Sequence, residues 1–206
     1  VRGLYVIVDP SVTRGRPVVD VARAVLDGGA AVVQLRDKTR DSGEALNLAR
    51  RLTAECEQHS ALFIMNDDPS LALISGAHGV HVGQDDLPVS EVRRVITPAQ
   101  IIGRSNNSVD EVVESQAAAV DYVAIGAVFP TSTMGKGDRP VVGVDIITTI
   151  KAMVDHPVVA IGGIDADNIA EVARAGADAA CVASAVTLAE EPEAAARVLS
   201  REMGQG

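Results

Sequence analysis

The sequence predicts an α/β protein built as a single (β/α)8 barrel, or TIM barrel, over residues 1–206. Eight short runs of Val, Ile, Leu and Ala alternate with eight Ala-rich stretches of helical periodicity. The short runs are largely apolar on both faces, which is typical of buried parallel strands. Glycine-alanine pairs such as Gly29-Ala30 and Gly176-Ala177 precede several runs and mark helix ends in a left-handed turn. One core is expected, since a chain of this length buries roughly 70% of its unfolded surface.

In chain order, each strand run is bounded by turn residues and is rich in side chains that favour extended backbone. The strands are predicted at residues 4–8, 31–35, 62–65, 79–82, 101–104, 122–125, 158–161 and 180–183. Between them, apolar residues recur at the spacing of one helix face. The helices are predicted at residues 17–28, 43–58, 69–75, 88–95, 109–119, 144–154, 166–175 and 191–202. An open, doubly wound sheet is the alternative, although Asp9-Pro10-Ser11 after the first strand is not a glycine-rich phosphate-binding turn.

The composition argues against several classes of partner. The formal net charge is -10, so long-range attraction has the wrong sign for a polyanionic polymer. The chain has two Phe, two Tyr and no Trp, which leaves no aromatic platform for stacking single-stranded bases. A nucleic-acid partner is therefore not expected. A small anion held by a few local cations remains compatible with this composition.

The cysteines and the apolar runs bear on where the protein works. Cys56 and Cys181 are the only cysteines, and neither lies at metal-site or disulfide-framework spacing, so both are expected to be packed thiols. No run reaches eighteen apolar residues, and no basic leader precedes the first strand. We therefore expect a cytoplasmic protein with no membrane partner. A homo-oligomer, or fusion to another domain of the same pathway, is left open by the sequence.

Acidic pairs follow two neighbouring strands of the predicted barrel. Asp67-Asp68 comes after the third strand and Asp85-Asp86 after the fourth. The carboxyl ends of barrel strands are where such folds carry chemistry. Mg²⁺ needs only one or two carboxylates and completes its shell with water or substrate phosphate. Each pair is also followed closely by a proline and would start a helix well. The pattern therefore predicts either a magnesium site or two capped helices.

Cationic side chains follow the second strand. Period-two geometry places Gln34, Arg36 and, if the strand continues, Lys38 on one face. An amide donor and two cations on one face suit an anion. These side chains neighbour the acidic ends of strands three and four and therefore suit a metal-bound diphosphate. The metal ion would bind some phosphate oxygens, and the cationic side chains would neutralise the remaining negative charge of the diphosphate. A charged loop that arose by chance is the alternative.

Hydroxyl groups and glycines follow the remaining strands. Ser105, after strand five, can donate a hydrogen bond to a ligand. The connection after strand six, residues 126–140, is long enough for a binding loop, and a surface loop is the alternative. The groups that it offers to a phosphate are Thr131, Ser132, Thr133, Lys136 and Arg139. Gly162-Gly163 and Ala183-Ser184 follow strands seven and eight, where such barrels commonly bind phosphate.

Five motifs, in order along essentially the whole chain, resemble those of thiamine-phosphate synthases. They are Val33-Gln34-Leu35-Arg36-Asp37-Lys38, Asn66-Asp67, residues 79–86, Phe129-Pro130-Thr131-Ser132-Thr133 and residues 160–164. Members of that family join 4-amino-2-methyl-5-(diphosphooxymethyl)pyrimidine to 4-methyl-5-(2-phosphooxyethyl)thiazole in a (β/α)8 barrel, giving thiamine phosphate and pyrophosphate with Mg²⁺. The resemblance implies a transferase of thiamine biosynthesis with two small anionic substrates.

The resemblance also implies roles for the matching residues. The diphosphate would be held by Gln34, Arg36 and Lys38, with Asn66 beside them. Asp67 and Asp86 would bind Mg²⁺, and Ser105 would contact the pyrimidine substrate. The thiazole-phosphate site would comprise Thr131, Ser132, Thr133, Gly163, Ala183 and Ser184. The side chains expected to take part in catalysis are Arg36, Lys38, Lys136 and Ser105.

One motif departs from the family pattern. The family usually has a lysine directly after the second threonine of its Pro-Thr-x-Thr motif, but here Met134 stands there and Lys136 follows two residues later. We expect Lys136 to reach the diphosphate site in its place. A thiazole tautomerase of the same superfamily is one alternative, and it would have no need of Asp67 and Asp86. The other is a non-catalytic barrel that binds a phosphate ligand, which only Met134 favours.

Overall fold

The computed structural model describes residues 1–133 and 140–204, which form a closed barrel of eight parallel strands. Neighbouring strands pair in chain order, and the last strand closes the barrel against the first. The strands are β1 (Gly3–Val8), β2 (Val32–Leu35), β3 (Leu62–Asn66), β4 (Gly79–Val82), β5 (Ile101–Asn106), β6 (Tyr122–Ile125), β7 (Val158–Ile161) and β8 (Ala179–Val182). The predicted barrel is confirmed, and the open doubly wound sheet is wrong.

Helices connect the strands around the outside of the barrel. They are α1 (Val18–Asp27), α2 (Ser42–Gln58), α3 (Pro69–Ser75), α4 (Val89–Val95), α5 (Val109–Ala117), α6 (Asp145–Lys151), α7 (Ile169–Arg174), α8 (Ser184–Thr187) and α9 (Pro192–Met203). One turn of 3-10 helix, Pro10–Val12, follows β1. The short helix α8 has no counterpart in the sequence prediction, because four residues are too few to show a helical period.

The core has two layers, and the alternation of side chains along β1 shows how they arise. Leu4, Val6 and Val8 point outward and pack with residues of the surrounding helices. Tyr5 and Ile7 point inward and belong to a smaller cluster inside the barrel. Since side chains alternate between the two faces of a strand, one apolar run can serve both layers. This is why the strand runs show no polar alternation.

A glycine in β5 makes room for a tyrosine inside the barrel. Gly103 pairs with Tyr122 of β6, and a Cβ atom on Gly103 would stand 1.9 Å from Cζ of that ring. No side chain can be accommodated at such a distance, so the tyrosine lies directly over the glycine backbone. Gly103 therefore allows the Tyr122 hydroxyl to reach the middle of the barrel.

Several predicted boundaries shift by a few residues for local reasons. Strand β5 continues two residues beyond the predicted end at Arg104, because Asn106 pairs with Ile125 and its side-chain amide donates to the carbonyl of Ala124 at 3.1 Å. Helix α7 begins at Ile169 rather than at residue 166, since the backbone N–H of Asp165 donates to the Asn168 side chain in a preceding turn. Ser105 consequently lies within a strand and not after it.

The cysteines behave as the sequence predicts. Both are buried thiols, and burial raises the pKa of Cys56 to about 12, which makes that sulfur a poor nucleophile. None of the helices in the described part of the chain has the length and apolar character needed to cross a bilayer.

Candidate active site

A cavity of about 440 Å³ opens at the carboxyl ends of the strands, within the barrel mouth. The predicted site residues that line it are Gln34, Arg36, Asn66, Ser105, Thr131, Ser132, Thr133, Gly163, Ala183 and Ser184. A second cavity, of about 530 Å³, is lined by Lys38 and Asp67 and shares Asn66 with the first. Lys136 lies outside the described residues, as do Met134 and Arg139. The structure therefore brings together side chains from strand ends that are far apart in sequence.

Two carboxyl groups meet at the ends of β3 and β4. Asp67 and Asp86 lie within hydrogen-bonding reach of each other, and Lys38 contacts Asp67. Partial burial, together with the neighbouring Asp67, raises the pKa of Asp86 above its usual range. One oxygen of Asp86 is fixed by the backbone N–H of Gly83 at 2.7 Å. Two carboxylates held this close form a site that favours a cation between or beside them.

The backbone at Asp67 contributes to this arrangement. Asp67 has a φ of 62°, in the left-handed region that aspartate tolerates better than most residues, and its N–H donates to the carbonyl of His81 at 2.8 Å. The chain thereby turns sharply after β3, so that Asp67 lies beside Asp86 while Asp68 lies at the start of α3. Asp68 accepts from the N–H of Leu71 at 2.9 Å and caps α3. The expectation of capped helices therefore holds for Asp68, whereas Asp67 is left for the acid pair.

Arg36 is held by Asp9, an acid that the sequence does not identify as a site residue. Its guanidinium donates to Asp9 at 2.5 Å, and Asp9 is only 4% exposed. The other carboxylate oxygen of Asp9 accepts from the backbone N–H and the hydroxyl of Ser11, at 2.9 and 2.6 Å. An acid at the end of a fully buried strand is the signal that could have revealed this partner. Asp9 orients Arg36 along the cavity wall.

The opposite wall is formed by the connections after β6, β7 and β8. The hydroxyl groups of Thr133 and Ser184 lie 2.9 Å apart, and Thr131 accepts from the N–H of Thr133 at 3.2 Å. Gly163 has a φ of 64°, and a Cβ there would stand 2.5 Å from the carbonyl oxygen of Pro130. The glycine thus lets the segment that carries these threonines lie directly against the end of β7. The result is a polar wall of hydroxyl groups and backbone.

A chain of five polar side chains crosses the inside of the barrel and lines the inner part of the cavity. Its members, in order of contact, are Gln34, Tyr5, Tyr122, His81 and Ser105. The last of these is also held through its backbone, because Gln84 donates to the Ser105 carbonyl at 2.6 Å and accepts from Arg104 at 2.6 Å. Only the two ends of this chain, Gln34 and Ser105, are predicted from the sequence as site residues. Gln34 is only 2% exposed, and its amide donates to Tyr5.

The comparisons with known proteins agree with this geometry. The sequence model of the family described as thiamine monophosphate synthase matches residues 4–186. A thiamine-phosphate synthase from Thioalkalivibrio sulfidiphilus is 44% identical over 200 residues, which are 97% of this chain and 94% of that protein. The solved structure of a thiamine phosphate pyrophosphorylase from Pyrococcus furiosus superposes with a TM-score of 0.91 at 35% identity, covering 98% and 96% of the two chains.

A third relative carries a similar sequence as part of a longer protein. The thiamine biosynthesis bifunctional protein ThiED of Geobacter sulfurreducens is 41% identical over 196 residues, which are 95% of this chain and 39% of that protein. Both the family match and the identities extend over nearly all of the chain, and the barrel and its cavity agree with them. The chain belongs to the thiamine-phosphate synthase family.

Proposed function

We propose that two sides of the barrel mouth, one with Lys38, Asp67 and Asp86 and the other with Thr133 and Ser184, hold the two substrates of the family's reaction. The pyrimidine diphosphate binds at the ends of β2, β3 and β4, and the thiazole phosphate binds at the connections after β6, β7 and β8. The observation that carries this division is the meeting of Asp67, Asp86 and Lys38 on one side, opposite the hydroxyl pair of Thr133 and Ser184. A diphosphate with its metal needs the first environment, and a phosphate monoester suits the second.

Asp67 and Asp86 are proposed to hold Mg²⁺. Their carboxyl groups converge, and burial disfavours two uncompensated negative charges at such a place. Among residues 1–133 and 140–204, no group of three or more His, Cys, Asp or Glu side chains could hold a metal ion. Two carboxylates without further protein ligands suit Mg²⁺, which keeps positions for substrate oxygens. When bound, the ion would neutralise negative charge on the leaving diphosphate.

The reaction needs charge neutralisation more than acid-base chemistry. The thiazole nitrogen forms a bond to the methylene carbon of the pyrimidine substrate, and the bond from that carbon to oxygen breaks with its electron pair going to pyrophosphate. The attacking nitrogen carries no proton, so no general base is required. Arg36 and Lys38 lower the barrier because negative charge grows on the leaving group as the bond breaks. Gln34 and Asn66 orient the substrate, and Lys136 would add a third cation.

Thr131, Ser132, Thr133, Gly163, Ala183 and Ser184 are proposed to receive the thiazole phosphate. Hydroxyl groups can donate to phosphate oxygens without adding charge, so the cationic side chains Arg36 and Lys38 and the proposed Mg²⁺ remain with the diphosphate. Ser105, whose side chain lies between the two walls, is proposed to contact the pyrimidine ring. The thiazole tautomerase alternative is disfavoured, because it gives no reason for Asp67 and Asp86 to converge.

The proposal extends to the domain organisation, cellular location and partners of the protein. The substrates are small phosphorylated molecules, and we propose that the barrel is one catalytic domain working in the cytoplasm. The fused relative from Geobacter sulfurreducens suggests a second thiamine-pathway domain as a partner in some members of the family. A homo-oligomer remains a hypothesis from the sequence.

Asp67→Asn tests the metal assignment, with Asp68→Asn as a matched control. Both changes remove one negative charge from adjacent residues, asparagine tolerates the left-handed backbone of position 67, and it also caps helices well at position 68. Pyrophosphate release is measured with both substrates over a series of Mg²⁺ concentrations. Asp67→Asn should raise the half-saturating Mg²⁺ concentration about tenfold or more, equivalent to about 1.4 kcal/mol, while Asp68→Asn should leave it unchanged. An equal Mg²⁺ dependence in the two variants would refute the assignment.

A further inference from the structure

The two tyrosines of this chain lie inside the barrel with their hydroxyl groups in contact. Tyr5 is 1% exposed and Tyr122 is fully buried, and they are the only tyrosines in the sequence. Burying a hydroxyl group is costly unless it is hydrogen-bonded, so two such groups in an otherwise aliphatic barrel call for a physical reason. The Tyr5 and Tyr122 hydroxyl oxygens are 3.1 Å apart.

These hydroxyl groups are the middle of the chain of hydrogen-bond contacts that lines the inner part of the cavity. The side-chain nitrogen of Gln34 lies 2.7 Å from the Tyr5 hydroxyl. The Tyr122 hydroxyl lies 2.9 Å from Nδ1 of His81, and Nε2 of the same ring lies 2.8 Å from the hydroxyl of Ser105. The chain therefore runs without a break from the wall formed by β2 to the wall formed by β5.

Donor and acceptor chemistry gives this chain a direction. The amide nitrogen of Gln34 can only donate, so the Tyr5 oxygen accepts and its own proton points to Tyr122. Tyr122 then accepts from Tyr5 and donates to Nδ1 of His81. With Nδ1 accepting, the proton of a neutral imidazole is on Nε2, which donates to the Ser105 oxygen. Burial raises the pKa of both tyrosines, so both hydroxyl groups keep the protons that this order requires.

The opposite order leaves a proton without an acceptor along the chain. If Nδ1 of His81 carried a proton, it would donate to Tyr122, and Tyr122 would donate to Tyr5. Tyr5 would then receive protons from both Gln34 and Tyr122 and would still carry its own in a fully buried place. An unsatisfied buried donor is costly, so the arrangement that begins at the Gln34 amide is favoured.

We propose that Tyr5, Tyr122 and His81 are positioning residues that make Ser105 a hydrogen-bond donor to an acceptor atom of the pyrimidine substrate. The Ser105 oxygen accepts from His81, so its own proton is directed into the cavity. A pyrimidine ring nitrogen is an acceptor, whereas the exocyclic amino group is a donor. The direction of the chain thereby determines which polar atom of the ring Ser105 recognises. The inference rests on the proposed function, because the ligand it concerns is the pyrimidine diphosphate.

The backbone of Ser105 is held firmly enough for such a role. Its carbonyl accepts from Gln84, which itself accepts from Arg104, so the residue is fixed on both its main-chain and its side-chain groups. The Tyr122 ring is fixed in turn by its close approach to Gly103. A donor that is oriented before the substrate binds loses little freedom on binding, which favours affinity.

The protonation of His81 in the unliganded wild-type protein is the first test. Long-range proton-nitrogen correlation spectra at neutral pH distinguish the two neutral tautomers and the imidazolium, and the His81→Asn variant identifies the His81 signals among those of four histidines. We expect the neutral ring with its proton on Nε2. A ring protonated on Nδ1, or an imidazolium, would overturn the proposal whatever the enzyme's activity.

Kinetics of Tyr122→Phe and Tyr5→Phe form the second test, with Thr53→Val as the control. Each change removes one buried hydroxyl group, but Thr53 lies in α2, where its hydroxyl group contacts the carbonyls of Ala49 and Ser75 and does not line the cavity. The tyrosine variants should raise the KM for the pyrimidine diphosphate about tenfold, the effect of one lost hydrogen bond, and leave the KM for the thiazole phosphate within about twofold. Tyr122→Phe should also leave His81 as a mixture of tautomers.

The outcomes separate this inference from the proposed function. If Ser105→Ala raises the KM for the pyrimidine diphosphate and the two tyrosine variants do not, Ser105 binds substrate without help from the chain, and the inference is wrong while the proposed function stands. If wild-type protein forms no thiamine phosphate from the two substrates, the proposed function fails. Equal effects of Thr53→Val and Tyr122→Phe would mean that only stability is affected, which also overturns the inference.

Discussion

Gly163→Ala isolates the close approach on which the proposed thiazole-phosphate wall depends. Gly163 has a φ of 64°, and a Cβ there would stand 2.5 Å from the carbonyl oxygen of Pro130 and 2.8 Å from Cβ of Phe129. Neither atom is the end of a flexible side chain, so the backbone after β6 has to move away. That backbone leads directly into Thr131 and Thr133, and the displacement should reach the hydroxyl groups proposed to bind the phosphate.

The expected loss of stability has two parts. An alanine in the left-handed region costs about 1–2 kcal/mol relative to its preferred backbone. Overpacking against fixed atoms adds about 1–3 kcal/mol. Gly76→Ala supplies the first part alone, because Gly76 has a φ of 75° at the end of α3 and its added Cβ would come no closer than 4.0 Å to Thr53. The difference between the two variants therefore measures the contact with Pro130 and Phe129.

Urea denaturation of both variants, followed by circular dichroism, gives their free energies of unfolding. Gly163→Ala should be less stable than Gly76→Ala by about 1–3 kcal/mol, for the overpacking reason alone. Steady-state kinetics should show a raised KM for the thiazole phosphate in Gly163→Ala and an unchanged one in Gly76→Ala. Equal free energies of unfolding in the two variants would show that the segment after β6 does not lie against Gly163 as described.

Two further predictions concern groups outside the cavity. Arg16 donates to the carbonyls of Thr187 and Ala189, at 2.7 and 2.9 Å, and so holds the end of α8, which begins at Ser184. Arg16→Gln should therefore raise the KM for the thiazole phosphate severalfold and leave the KM for the pyrimidine diphosphate unchanged. Equal changes in the two KM values would contradict this positioning role. Asp178 is partly buried, which raises its pKa, but hydrogen bonds from Lys151 and the N–H of Val158 lower the pKa below its usual 3.8 overall. Its stabilising contribution is therefore complete above that value and is lost as the pH falls through the lower folded pKa. Urea denaturation across this acid range should show a smaller loss of stability in Lys151→Met than in the wild type, and equal losses would refute the pairing.

The fold could be predicted because its signals are local. Most strands are short, largely apolar runs, the crossovers contain helices with an apolar face, and Gly76 ends α3 in the left-handed turn that glycine favours. The boundaries that were missed depend on contacts with residues remote in sequence. Strand β5 extends to Asn106, whose side-chain amide donates to the carbonyl of Ala124 and accepts from the hydroxyl of Ser115. Neither partner can be identified from the sequence of the strand itself.

The candidate site could be predicted in part for a related reason. Acids, cations and hydroxyl groups after strands can be assigned to one end of the barrel from connectivity alone, which places Arg36, Asp67 and Ser184 near one another. The chain of polar side chains from Gln34 to Ser105 could not be predicted from the sequence. Tyr5 and Tyr122 are 117 residues apart and meet only through the closure and stagger of the barrel. Asp9 was missed because an acid followed by proline and serine also fits an ordinary turn.

The charges at the diphosphate wall give a physical reason for the proposed metal. Arg36 is paired with Asp9 and Lys38 with Asp67, while Asp86 adjoins Asp67. Two cationic side chains thus face three carboxyl groups, and in their ionised forms these leave a net charge of −1 at the place proposed for a polyanion. A divalent cation changes that net charge to +1, because two positive charges are added to it. The acids beside Arg36 and Lys38 therefore outnumber these two cations, which gives the proposed Mg²⁺ a part in attracting the diphosphate. This excess of negative charge supports the proposal that a divalent cation binds beside Asp67 and Asp86.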